Sequence, residues 1–208
     1  MFIPRHPVVE DQFCLYGSSV NTAGIGGAIA YAGAVVYLDS TKEESEVLKF
    51  AHGVTADPFG FLMQKVKTGY HSVHPVGFVM PGDLGSSDAI AQPTYSNTGA
   101  ITGTTTVPVG VAHLGIYDTI HYTCVSTTTS GVVSVADGSQ PIPGQSMFPA
   151  ADEGKLTNST VASNGTDVSG ERCNTTVVAK VVKGVSAAKA TSTFGGGTKF
   201  ALRVKLLV

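Results

Sequence analysis

Residues 199–208 read Lys199-Phe-Ala-Leu-Arg-Val-Lys-Leu-Leu-Val208. Phe200, Leu202, Val204, Leu206 and Val208 fall on one side of a period-two alternation, and Lys199, Arg203 and Lys205 on the other. That is the pattern of a β-strand with one buried and one solvated face. So regular a strand at the end of the chain predicts that the terminus is built into a sheet. The cations alternating with the apolar residues are expected on a solvated face and a guarded sheet edge.

Working outward, the same chemistry recurs. Thr175–Lys183 carries Val177, Val178, Val181 and Val182, and Gly131–Ala136 is followed by the turn Asp137-Gly138. Ile116–Val125 alternates, with Ile116, Ile120, Tyr122 and Cys124 opposed to Tyr117, Thr119, His121 and Thr123. Further strands are predicted over Thr104–Val111, Val76–Met80 (ending at Pro81-Gly82-Asp83), residues 59–67 and the apolar run Gly33–Leu38. Gln140–Gly154, with Pro141, Pro143, Gly144 and Pro149, reads as a connector, and Leu156–Ser169 as a polar loop. Residues 85–106, rich in Ser, Thr, Gly and Asn, read as a long loop or projecting hairpin. Only Thr41–Phe50 is predicted helical, on the capping-box pair Ser40 and Glu43.

The fold class that follows is mainly β. It is a β-barrel or sandwich-like body with an extended N-terminal arm, long Gly/Ser/Thr loops and at most one short helix. The arm is placed at residues 1–22, where Pro4 and Pro7 oppose regular structure, and the body at 23–208, with a division into two lobes placed near 85–104. At 208 residues the chain buries enough surface to need no metal or disulfide staple.

Composition narrows the function. Only 13% of residues are charged, with 25 Gly and no Trp, and mean hydropathy is +0.19. So little charge points to an exterior covered by partner chains, or to a Ser/Thr surface on a monomer. A net charge of −2 and a pI near 6.3 argue against direct nucleic-acid binding. Cys14, Cys124 and Cys173 are too scattered for a disulfide framework and read as buried thiols. Cys14–Leu38 is uncharged, but its Gly/Ala/Ser/Thr content predicts a buried or interface-facing segment rather than a membrane span. The start of the chain lacks the pattern of a secretory signal.

Catalytic and metal chemistry find little purchase. His71 and His74 form an HxxH near Asp83, but in a strand or loop that spacing sends the rings to opposite faces. An enzyme would need His71, His74 and His121 to converge with Asp83 or Asp118. Gly195-Gly196-Gly197 precedes a strand where a phosphate loop would precede a helix. No catalytic, metal or cofactor site is predicted. The sequons at Asn158, Asn164 and Asn174 read as polar loop residues.

Several phrases together resemble tailed-phage head decoration (capsid cement) proteins. They are Gly33-Ala-Val-Val-Tyr-Leu38, Phe50-Ala-His-Gly-Val-Thr-Ala-Asp-Pro-Phe-Gly-Phe-Leu62, Gly131-Val-Val-Ser-Val-Ala-Asp-Gly138, Pro143-Gly144, Gly154-Lys-Leu156, Val178-Ala-Lys-Val-Val-Lys-Gly184 and Leu202-Arg-Val-Lys-Leu-Leu-Val208. The resemblance implies a non-enzymatic virion protein on the outer capsid surface. Its partners would be the major capsid protein and its own copies, as a trimer or dimer, with no direct nucleic-acid and no membrane contact. Under that resemblance Phe2, Ile3, Pro4, Arg5 and Phe13 of the arm are the candidate lattice contacts. Phe200, Leu202, Val204 and Leu206 are the candidate self-association strand. The alternatives are another phage component (a tail tube, fibre or adhesin module) or, less favoured, an enzyme.

Overall fold

The structure, a computed structural model, describes residues 2–4, 10–17, 28–43, 45–51, 53–68, 89–91, 93–104, 106–123, 141–151, 153–159, 172–184 and 201–208. Those residues hold sixteen strands and no helix. They are β1 (Phe2–Pro4), β2 (Glu10–Tyr16), β3 (Ala28–Ala30), β4 (Val35–Leu38), β5 (Glu46–Lys49), β6 (Gly60–Leu62), β7 (Val66–Thr68) and β8 (Ala89–Ala91). There follow β9 (Pro93–Tyr95), β10 (Ile101–Thr104), β11 (Val107–Thr119), β12 (Tyr122–Thr123), β13 (Ser146–Pro149), β14 (Leu156–Thr157), β15 (Ala179–Lys183) and β16 (Leu202–Leu207).

The 13-residue β11 organises the molecule. Its first half pairs with β2 on one edge, from Val107 opposite Tyr16 to Leu114 opposite Glu10, and with β6 on the other. Its second half pairs with β1 on the β2 edge and with β16 on the β6 edge. The circuit β11–β2–β5–β4–β6 returns to β11, closing a five-stranded barrel. From the other half of β11 a sheet continues through β16, β15, β13 and β14 to β12. β3, β7 and β8 form a separate three-stranded sheet, and β9 with β10 a separate hairpin.

Closure depends on Gly60. A Cβ there would collide with Val111 Cγ1 and lie 2.9 Å from Ala112 O, so only a residue without a side chain lets β6 approach β11.

The barrel wall is buried on both faces. Cys14, Tyr16, Val36, Val47, Leu62, Val107, Val109 and Val111 fill the barrel interior, joined by Ile29, Ala30, Val66 and Ala89 of the three-stranded sheet. The neighbouring wall residues Val35, Phe61 and Ala112 point outward into a second core. There they meet Met147, Leu156, Ala179, Val181, Leu202, Val204 and Leu206. A strand buried on both faces reads as a continuous apolar run, which is why Gly33–Leu38 shows no alternation. The phase of β11 changes midway, at an irregularity between Ala112 and Leu114 and at Gly115 (φ +130°). Beyond it Tyr117 joins the second core rather than the barrel interior.

The mainly β architecture expected from the sequence is what the structure has. Several local expectations are corrected. Thr41–Phe50 is not helical: Glu46–Lys49 is β5, antiparallel to β4. The Asp39 carboxylate captures the Thr41 amide (3.0 Å) and hydroxyl (2.6 Å), a turn that pre-empts the Ser40 cap, and strand pairing puts Val47 in the barrel. Of residues 1–22, Phe2–Pro4 and Glu10–Tyr16 are the strands β1 and β2, which line one edge of β11. Strands on both sides of 85–104 share the barrel: β2, β4, β5 and β6 precede it and β11 follows it. The connector 140–154 contains β13, and Leu156–Thr157 is a buried strand rather than loop. Thr104–Val111 and the start of Ile116–Val125 contribute to a single strand. Val76–Met80 and Gly131–Ala136 lie outside the described residues.

Candidate functional site

The residues expected to contact a capsid lattice are placed differently from that expectation. Phe2 is 3% exposed and stacks on Tyr117, with ring centroids 4.3 Å apart, and on Phe61 at 5.9 Å. It is a core residue, held there by aromatic burial. Ile3 and Pro4 pair in register with Asp118 and Tyr117, and Phe13 with Gly110. Arg5 lies outside the described residues.

The strand expected to mediate self-association is β16. Leu202, Val204 and Leu206 are fully buried in the second core, because β16 turns its apolar face inward. Phe200 lies outside the described residues. Nor does β16 guard an edge: it runs between β15 and β11.

Of the residues an enzyme would need, His71, His74 and Asp83 lie outside the described residues. Asp118 and His121 serve the fold. Arg203 forks onto the Asp118 carboxylate, Nε to Oδ1 at 2.7 Å and Nη2 to Oδ2 at 3.2 Å. The two are direct partners across β11 and β16, and this hydrogen bond raises the Arg203 pKa. His121 is buried with its Nε2 3.0 Å from the Glu153 carbonyl oxygen, which makes Nε2 the protonated nitrogen. Glu153 and Gly154 are both in the left-handed region (φ 51° and 66°), and their turn brings that carbonyl to the ring. Among the described residues no three His, Cys, Asp or Glu side chains gather as metal ligands. No helix of the described residues is long and apolar enough to cross a membrane.

Cys14 and Cys173 are free thiols. Burial raises the pKa of both, that of Cys173 to about 11. Asn158 and Asn174 both lie outside the strands; Asn158 is buried, and Asn174 donates through Nδ2 to the Ala56 carbonyl at 2.7 Å. Asn164 and Cys124 lie outside the described residues.

Two surfaces remain as candidate sites. The first is the β9–β10 hairpin, which among the described residues forms a two-stranded sheet of its own. Its tip is tightly built: the Ser96 amide donates to Ala100 O at 2.8 Å, the Gly99 amide to Ser96 O at 2.9 Å, and Ser96 Oγ lies 2.8 Å from Thr98 Oγ1. Asn97, Thr98, Gly99 and Ala100 are exposed at that tip, and Thr94 and Thr102 are exposed along the strands. A polar hairpin whose tip is already hydrogen-bonded has less conformational entropy to lose on binding.

The second is the outward face of β15 and β16. Lys180 stands directly opposite Lys205, and Lys183 opposite Arg203. Like charges directly opposed across a sheet destabilise it. Arg203 alone of the four has a carboxylate partner among the described residues. The alternation of Arg203 and Lys205 is legible in the sequence. Their meeting with Lys180 and Lys183 depends on strand register, which the sequence does not show.

No protein family model matches the chain, and no curated protein shows significant similarity to it.

Proposed function

We propose that this chain is a structural virion protein of the capsid-decoration (cement) kind, acting on the outer surface of an assembled capsid. Its partner is the major capsid protein, and its work is done by binding alone. The observation that carries this reading is the β9–β10 hairpin: a preorganised, Ser/Thr-rich, uncharged finger mounted on a doubly cored β body. The contact thus passes from the N-terminal residues, two strands of which are built into the sheet, to residues 93–104.

The energetics are those of linkage. A protein that binds the assembled lattice but not free subunits stabilises the lattice at every occupied site. Each site gains about 2.7 kcal/mol when free protein is at roughly one hundred times its Kd. A rigid body matters, because a clamp that deforms under load transmits less of its binding energy to the lattice.

Co-sedimentation with empty capsids tests this. The full chain should pellet with assembled capsids and stay in solution with free capsid subunits. Replacing Pro93–Thr104 with a short Gly-Asn-Gly turn should abolish pelleting. The far-UV circular dichroism and melting temperature of the body should stay unchanged, since the hairpin forms its own sheet. A full chain that ignores assembled capsids, or a shortened chain that still pellets, overturns the proposal.

A further inference from the structure

The molecule carries opposite charge at the two ends of β11. At one end stand Lys180, Lys183, Arg203 and Lys205, with the Asp118 carboxylate beside Arg203. They are central in the sheet, so edge protection does not account for them. Two like-charged cross-strand pairs side by side violate the local rule of sheet design, and such violations concentrate at functional sites. Leu114, Val182 and Leu207 are exposed beside them, which gives the face apolar area as well as charge.

At the other end, the turn from β4 to β5 reads Asp39-Ser-Thr-Lys-Glu-Glu-Ser-Glu46, four carboxylates and one lysine. Register places it. Glu46 pairs with Leu15, and Leu15 with Pro108, whereas Lys205 pairs with Ile116 and Arg203 with Asp118. Eight residues of β11 separate the two, roughly 25 Å along the strand at about 3.3 Å per residue. That is about three Debye lengths at physiological salt, so neither end neutralises the other within one molecule.

We propose that the basic face of β15 and β16 docks the acidic β4–β5 turn of a second copy of this chain. The charges on the two surfaces are opposite. A mixed basic and apolar face fits a protein surface better than a phosphate backbone, which offers no apolar complement. The two surfaces differ, so the contact is heterologous and propagates head to tail, closing as a ring or running as a filament. This goes beyond the capsid reading and does not rest on it.

Light scattering and sedimentation velocity on the full chain test it. Oligomers present at roughly 0.1 M salt should dissociate at roughly 1 M, where the Debye length falls from about 10 Å to about 3 Å. Lys180→Glu with Lys205→Glu should weaken assembly at least tenfold, as should Glu43→Lys with Glu46→Lys. All four side chains reach solvent, and circular dichroism of each variant verifies the fold. Mixing the two double variants should restore assembly, because each then supplies the charge that the other lacks. A protein monomeric at both salts, an assembly indifferent to the substitutions, or a mixture that stays dissociated overturns the proposal. So does a basic face that binds a duplex oligonucleotide while the protein remains monomeric.

Discussion

Gly60 shows how much of this fold rests on single positions. Its missing side chain lets β6 reach β11, and that pairing closes the barrel. Gly60→Val should cost about 1–3 kcal/mol, the usual penalty for overpacking a close contact. Urea unfolding measures it, and a variant as stable as the parent would mean that barrel closure does not depend on this contact. The sequence places Gly60 between Phe59 and Phe61 but does not reveal the approach of a strand some fifty residues further on. Phe2 teaches the same lesson. An aromatic residue beside Pro4 reads as a free arm until its ring is seen stacked on Tyr117. His121 and Asp118 meet partners from distant segments, Glu153 and Arg203, that the sequence does not reveal.

Among elements, the β4–β5 turn is where local signals competed most directly. The Ser40/Glu43 capping pattern is genuine as sequence, but Asp39 one position earlier ties down the Thr41 amide and hydroxyl first. A short helix has little stability of its own, and pairing with β4 buries Val47 completely. Those Thr41 bonds hold the Asp39 carboxyl below its ordinary pKa. A carboxyl depressed in the folded state lends stability above its unfolded pKa and loses it as the pH falls through the folded one. Asp39→Ala should therefore lower stability at neutral pH and converge with the parent in acid, once the parent carboxyl is protonated. Chemical denaturation across that range reads the difference, and a gap independent of pH would remove the carboxylate from the turn's energetics. Strands with one wet face, such as β16, were legible from alternation alone. Strands such as β13 were hidden by flanking Pro and Gly, because pairing with β14 and β15 decides their conformation.

For the whole molecule, the consequential feature is the shared wall. Val36 and Val35, Leu62 and Phe61, and Val111 and Ala112 face alternately into the barrel and into the second core. Neither core keeps its lining if the other melts. Leu62→Ala in the barrel and Leu206→Ala in the second core should each cost about 2–5 kcal/mol and lower one common unfolding transition. Calorimetry checks this, and two transitions responding separately would show the cores to be independent. The Leu206 variant also separates a core role from the self-association role that the sequence suggested, since only the former predicts so large a loss. The described exterior carries a polar hairpin, a basic sheet face and an acidic turn. By itself the sequence determined that the chain is mainly β, where the wet-faced strand β16 lies and how little charge it carries. These follow from side-chain period and composition, which are local properties. Only the tertiary structure decided that the barrel closes, that the strands β1 and β2 pair with β11 and that four cations share one face. Those are matters of register between segments far apart in the chain, and register is set by mutual burial, which no single segment encodes.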